Sequence, residues 1–150
     1  MRSTFLLATA VLIAAFTDRA VTQAVAQSAD DSAAIRAAAL DYIEGWYAGD
    51  PERMARAVHP ELVKRIVVIN QDTGEPFIDN MGAGRLVEGT RAAYGRETPA
   101  EERRTDVTIL DVFGNAASVK IDAGGWIDYL HMAKMDGRWS IVNVLWERRQ

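Results

Sequence analysis

Asp136-Gly137 constrains this chain more than any other pair of residues. A two-residue type I′ turn needs positive φ at both central positions, and Asp-Gly adopts that backbone at little cost. The stretch Gly125 to Trp146, GWIDYLHMAKMDGRWSIVNVLW, is therefore predicted to be two strands meeting at that turn. Met135 then faces Arg138, Leu130 falls opposite Asn143, and Asp128 opposite Leu145. Side chains alternate along each strand, so one face carries Trp126, Asp128, Leu130, Met132, Trp139, Ile141, Asn143 and Leu145. The other carries Ile127, Tyr129, His131, Ala133, Val142, Val144 and Trp146. Neither face suits open water, so helices or a pocket are expected on one side and another subunit on the other. A one-residue bulge would exchange the faces of one strand.

The 150 residues are 49% hydrophobic and 25% charged, which suits one globular domain. The first 26 residues read as a secretory signal: Arg2 is a short basic start, Phe5 to Phe16 an apolar run, and Ala24-Val25-Ala26 a cleavage site of small residues. The run is shorter than the roughly 20 residues of a membrane span, and Asp18 and Arg19 follow it. The domain is thus expected over residues 27–150, exported to a periplasmic or extracellular space, with no membrane attachment after cleavage. Removing Arg2, Arg19 and Asp18 moves the formal charge from −4 to −5, against a nucleic-acid partner. With no cysteine, neither a disulfide nor a thiolate metal site can form.

Along the mature chain, Ile35, Ala38, Ala39, Tyr42, Ile43 and Trp46 recur at the spacing of one helix face, ending near Gly49. Asp50-Pro51 restarts a helix, with Asp50 as cap and Pro51 at the first helical position, and the proline after His59 stops it near that histidine. Leu62 to Ile69 reads as a strand, followed by a turn at Gln71-Asp72-Thr73-Gly74 and a short return strand around Pro76 to Ile78. A third helix is predicted over Ala83 to Tyr94, with Gly95 as its stop. Arg96 to Arg104 reads as a charged, solvated connection. Thr105 to Phe113 and Ala116 to Asp122 pair around Gly114-Asn115, and the hairpin follows. This order excludes a parallel wound sheet and indicates an α+β fold, a bent antiparallel sheet packed on three helices.

Two segments, YIEGWYAGDPERMARAVHP (Tyr42 to Pro60) and DYLHMAKMDGRWSIVN (Asp128 to Asn143), together with this element order, resemble the putative lumazine-binding family of the nuclear transport factor 2-like superfamily. The resemblance covers residues 31 to 147. It implies a cone-shaped nuclear transport factor 2-like fold, a pocket at the open end, and homodimers through the outer sheet face. It supplies no ligand motif that transfers residue by residue, and the superfamily holds isomerases, dehydratases and cyclases beside proteins of no known activity.

Among the side chains that could carry chemistry, Asp128 stands first, because the expected register sets it among Trp126, Leu130 and Leu145. A carboxylate so placed could act as a general base or, protonated, as a donor; the alternative is pairing with an arginine at the surface. Asn143, on the same face, could orient a ligand carbonyl or simply bond backbone. His59 is placed at a helix end, where the dipole favours its cation, or at a pocket mouth as an acid or base. Tyr42 and Trp46 lie one turn apart and could line the cavity with Trp126, or serve as core. Two histidines on different elements give no metal signal, and no dinucleotide, phosphate-loop or nucleophile-elbow motif occurs, so no cofactor is implied. Two function classes remain: a binding module for a small hydrophobic or aromatic ligand, and a proton-transfer enzyme, an isomerase or dehydratase, working through Asp128.

Overall fold

A computed structural model describes residues 28–149, so the expected signal segment lies outside the described residues. Of the described residues, 34–149 belong to one compact unit and 28–33 to another. The first helix, α1, occupies residues 28–48. In the larger unit its buried hydrophobic residues are Ile35, Ala39, Tyr42 and Ile43, from the expected face, together with Tyr47, while Ala38 and Trp46 of that face are partly buried. Gly49, at φ +62°, turns the chain, and Asp50 caps α2 (Pro51–Ala57) by accepting the Arg53 backbone N–H at 2.9 Å. Arg53 reaches back to Asp41 at 2.7 Å and to Glu44, which raises its pKa and ties α2 to α1.

The second helix ends at Ala57, and strand β1 (Val58–Ile69) begins at once. Pro60 forces extended backbone before it, and the chain uses that geometry to start a strand early. His59 therefore sits within a strand, not in the last turn of a helix. Its Nδ1 accepts the Glu61 backbone N–H at 3.2 Å, so the expected dipole role does not apply. A hairpin leads to β2 (Pro76–Gly82), then α3 (Ala83–Arg91), two 3-10 turns (Tyr94–Glu97 and Ala100–Glu102), β3 (Asp106–Phe113), β4 (Ala116–Asp122), β5 (Trp126–Met135) and β6 (Arg138–Arg148). Together they make a six-stranded sheet in the order β2-β1-β6-β5-β4-β3. All neighbours are antiparallel except β1 and β6, which run parallel; this one pair departs from the antiparallel expectation.

Asp136 and Gly137 form the predicted turn, at φ +51° and +76°, with Met135 opposite Arg138. The register then shifts. His131 faces Asn143 and Met132 faces Ile141, so Val142 is a bulged residue, and beyond it Leu130 pairs with Val144 and Asp128 with Trp146. The exchange of faces that a bulge permits thus occurs within the strand instead of at the turn. Val144 and Trp146 turn toward the helices, and Asn143 and Leu145 turn outward. Sealing an unpartnered amide against Leu130 would cost about 1–3 kcal/mol, whereas fully burying Val144 contributes about 1.5–3 kcal/mol. Val144 is fully buried in the outcome.

The third helix stops at Arg91, short of the expected Tyr94, and the segment after it is built against α1. A Cβ on Gly95 would lie 2.2 Å from the Trp46 carbonyl oxygen, so only glycine allows this approach. Arg96 donates to the Ala48 carbonyl at 2.9 and 2.6 Å, while Arg103 donates to the Thr98 and Arg96 carbonyls and lies over the Tyr47 ring. The connection is largely exposed, as expected, and it is also ordered, because Arg96 and Arg103 satisfy carbonyls left open by helix and turn ends.

Candidate functional site

The inward faces of β1, β5 and β6, together with α1 and the Tyr94–Glu102 segment, enclose a cavity of about 600 Å³. Its lining includes Tyr42, Trp46 and Trp126, three of the residues singled out from sequence, joined by Trp146 and Lys64. Trp146 is there because of the Val142 bulge. Tyr42 and Trp46 come from one side of α1, one helical turn apart. Asp79, Glu97, Glu102 and Arg148 also contribute to the lining.

At the inner end lies a polar cluster in an otherwise apolar setting. Lys64 Nζ donates to Asp128 Oδ1 at 2.6 Å and to the Tyr42 hydroxyl at 2.6 Å. Tyr42 donates in turn to Asp128 Oδ1 at 3.4 Å, and Trp126 Nε1 donates to Oδ2 at 2.8 Å. The ammonium also stands 4.7 Å from the centre of the Trp146 ring and 5.4 Å from that of Tyr42, positions that favour a cation on an aromatic face. Burial pushes the Lys64 pKa down, opposed by the attraction of Asp128. Burial likewise raises the Tyr42 pKa, and the Asp128 charge raises it further. At neutral pH the hydroxyl is a donor and acceptor, never an anion. Next to the cluster, Tyr47 donates to the Ala123 carbonyl at 2.7 Å and packs on Trp126 with ring centres 5.8 Å apart. Its pKa is pushed up to about 12, chiefly by burial.

Asp128 is where the alternation of β5 puts it, facing inward, but it has no exposed surface and its partner is a lysine, not an arginine. Lys64, Tyr42 and Trp126 stand between it and the cavity. Asn143 is on the opposite face: it accepts from Arg65 Nη1, and its Nδ2 meets His131 Nδ1 at 3.2 Å. The bulge carried it there. His59 is not among the cavity residues either.

Lys64 was not singled out from the sequence, although a signal was present. In LVKRIVVI, Leu62 to Ile69, both faces of the strand are apolar apart from one adjacent pair of cations, Lys64 and Arg65. Opposite faces of a strand receive adjacent residues, so one of the two cations had to point inward and find an anion. No group of three or more histidine, cysteine or acidic residues that could hold a metal occurs among the described residues, and no described helix is long and apolar enough to cross a membrane.

Comparison with known proteins supplies a frame for this geometry. A family model described as "Putative lumazine-binding" matches residues 30–147. No curated protein matches. Solved structures with a similar fold include an NTF2-like protein of unknown function from Shewanella baltica OS155, at 19% identity and a TM-score of 0.60, covering 81% of this chain and 96% of that one. Another NTF2-like protein of unknown function, from Methylobacillus flagellatus KT, is 20% identical with a TM-score of 0.58, covering 81% and 94%. A protein from Streptomyces avermitilis described as a putative dehydratase of the NTF2-like family is 14% identical with a TM-score of 0.51, covering 82% and 99%.

Proposed function

This chain belongs to the putative lumazine-binding family of NTF2-like proteins, and from that premise we propose that it is an exported small-molecule-binding protein whose cavity takes a planar, largely apolar ligand. One observation carries the reading: a cavity of about 600 Å³ walled by Tyr42, Trp46, Trp126 and Trp146 and ending at a hydrogen-bonded lysine. Aromatic walls with a few convergent polar groups are the usual make-up of a ligand site, the walls giving affinity and the polar end orientation. Asp128 has no exposed surface, so a ligand proton could reach it only by way of Lys64 or Tyr42. The binding module is therefore favoured over an enzyme that uses Asp128 directly.

The outer sheet face supports self-association: Tyr129, Leu145 and Val67 are 46%, 50% and 47% exposed around the Arg65, Asn143 and His131 cluster. A second copy of the chain is the partner proposed for it. The test of ligand binding is native mass spectrometry of the mature protein purified without denaturation, followed by release and identification of any bound mass. A small aromatic molecule held by wild type and lost in Trp46→Ala is expected. A wild-type protein that carries nothing and gives no heat with a panel of planar aromatic compounds would sink the reading. The same spectra locate the first residue of the exported protein, expected at or near Gln27.

A further inference from the structure

The cluster at the inner end of the cavity bears on which ligands the site accepts. An ammonium has three N–H donors. Two of those on Lys64 are taken by Asp128 and Tyr42, and no third acceptor among the described residues meets the last one. Nζ lies beside the rings of Tyr42 and Trp146, both cavity walls, so the cavity is where that donor can find an acceptor. A bound molecule that places an oxygen there completes the lysine's hydrogen bonding.

The charge of that oxygen is set by what stands behind the lysine. Asp128, fully buried and 2.6 Å from Nζ, already offsets the positive charge, so an anion approaching Lys64 meets a neutral pair with a carboxylate close behind. Repulsion from Asp128, about 5 Å from such an anion, offsets roughly half of its attraction to the ammonium, and the remainder must meet the anion's loss of hydration. The rest of the lining adds to the bias. Counting Asp128, four carboxylates (Asp79, Glu97, Glu102 and Asp128) face two cations (Lys64 and Arg148). An uncharged oxygen loses far less hydration and keeps the hydrogen bond.

Resting on the small-molecule reading of this cavity, we propose that the site selects uncharged planar ligands that present a carbonyl or hydroxyl oxygen to Lys64, and rejects carboxylates of the same shape. The ligand's plane lies among the tryptophans, and its oxygen occupies the third donor of the ammonium. Asp128 is a positioning residue here: it fixes Lys64 and cancels its charge without touching the ligand.

The test is calorimetric titration of the purified mature protein at pH 6 with two probes of matched shape, 2-naphthamide and 2-naphthoate. Wild type is expected to bind the amide at least tenfold more tightly. In Asp128→Asn the lysine loses its counter-charge, and the preference should move toward the carboxylate by at least tenfold, an effect that simple loss of packing would not produce because it would weaken both probes alike. Equal or tighter binding of 2-naphthoate by wild type would overturn the charge selection while leaving the binding site standing. Binding of neither probe would overturn the cavity reading and this inference with it. Should Asp128→Asn fail to fold, Lys64→Met/Asp128→Asn serves instead: with both charges gone the amide should lose at least tenfold in affinity, and undiminished binding of the amide would show that Lys64 does not read the oxygen.

Discussion

Replacing Lys64 by methionine keeps most of the aliphatic stem and removes only the ammonium. In the folded protein Asp128 would then keep two hydrogen bonds, from Trp126 at 2.8 Å and Tyr42 at 3.4 Å, but have no cation beside it. Its side chain has no exposed surface, so water cannot replace the lysine without opening the core. Breaking a buried pair from one side typically costs about 3–5 kcal/mol. The two remaining donors place the expectation near the lower end, about 3 kcal/mol, a large share of the roughly 5–15 kcal/mol that holds a domain folded. Lys64→Met/Asp128→Asn removes both charges while the introduced amide oxygen still accepts from Trp126, so the double variant should recover to within about 1.5 kcal/mol of wild type. Urea denaturation followed by tryptophan fluorescence measures all three variants on one scale. pH supplies a second readout. Burial lowers the Lys64 pKa below its ordinary 10.5, so between the folded value and 10.5 the unfolded chain holds more protons. Wild-type stability therefore gains from this group as pH rises through that window, and Lys64→Met should lack the gain. A loss below about 1 kcal/mol in Lys64→Met, or a double variant as unstable as the two singles added, would refute the reasoning.

Three further outcomes are expected. Gly95→Ala would put a Cβ 2.2 Å from the Trp46 carbonyl oxygen; the backbone on both sides must move, costing about 3 kcal/mol and shifting the Tyr94–Glu97 wall, as a lowered midpoint in thermal denaturation and weakened probe binding should register. Tyr47→Phe leaves the Ala123 carbonyl without its donor and should cost about 1–2 kcal/mol at pH 7 in urea titration. Because the folded pKa of Tyr47 is about 12 against an ordinary 10, the folded state holds that proton more tightly, and its stabilising contribution declines as pH climbs from 10 to 12; the phenylalanine variant should decline less steeply. Tyr129→Glu sets a charge in the middle of the outer sheet face, and sedimentation at micromolar concentration should turn a dimer into a monomer without change in the circular dichroism of the fold; a wild type that already sediments as a monomer would remove the basis for that expectation.

The elements were legible wherever one local rule decided them. Asp136-Gly137 fixed the hairpin because few residue pairs tolerate two positive φ values. The α1 face followed from apolar spacing, and the start of α2 from Asp50-Pro51. What escaped was decided at a distance. The Val142 bulge reflects competition between two sets of side chains for one inner surface, which no window around the turn contains. It moved Asn143 out of the candidate site and Trp146 into it. The partner of Asp128 lies on a strand 64 residues earlier, beyond any local pattern, and was visible only as the oddity of Lys64 beside Arg65 in an apolar strand. The Arg96 to Arg104 segment was read as exposed, which it largely is, but its order escaped, because its charges were counted and its acceptors, the carbonyls of Ala48, Arg96 and Thr98, were not.

The parallel contact of β1 with β6 has a consequence for how the molecule is assembled in time. Within the sheet, β6 is the only strand that touches both the β2-β1 pair and the β5-β4-β3 run. Each of those groups can form by pairing of chain neighbours, but neither can join the other until residues 138–148 are available, since Val58 must find Ile141 and Val63 must find Asn143. Contacts of such long sequence separation are slow to close. A chain halted before β6 would hold Lys64 and Asp128 on separate sheets, each a buried-type charge still in water. The ion pair that later sits at the inner end of the cavity would form among the final steps, and refolding rates of Lys64→Met should match wild type while its unfolding accelerates.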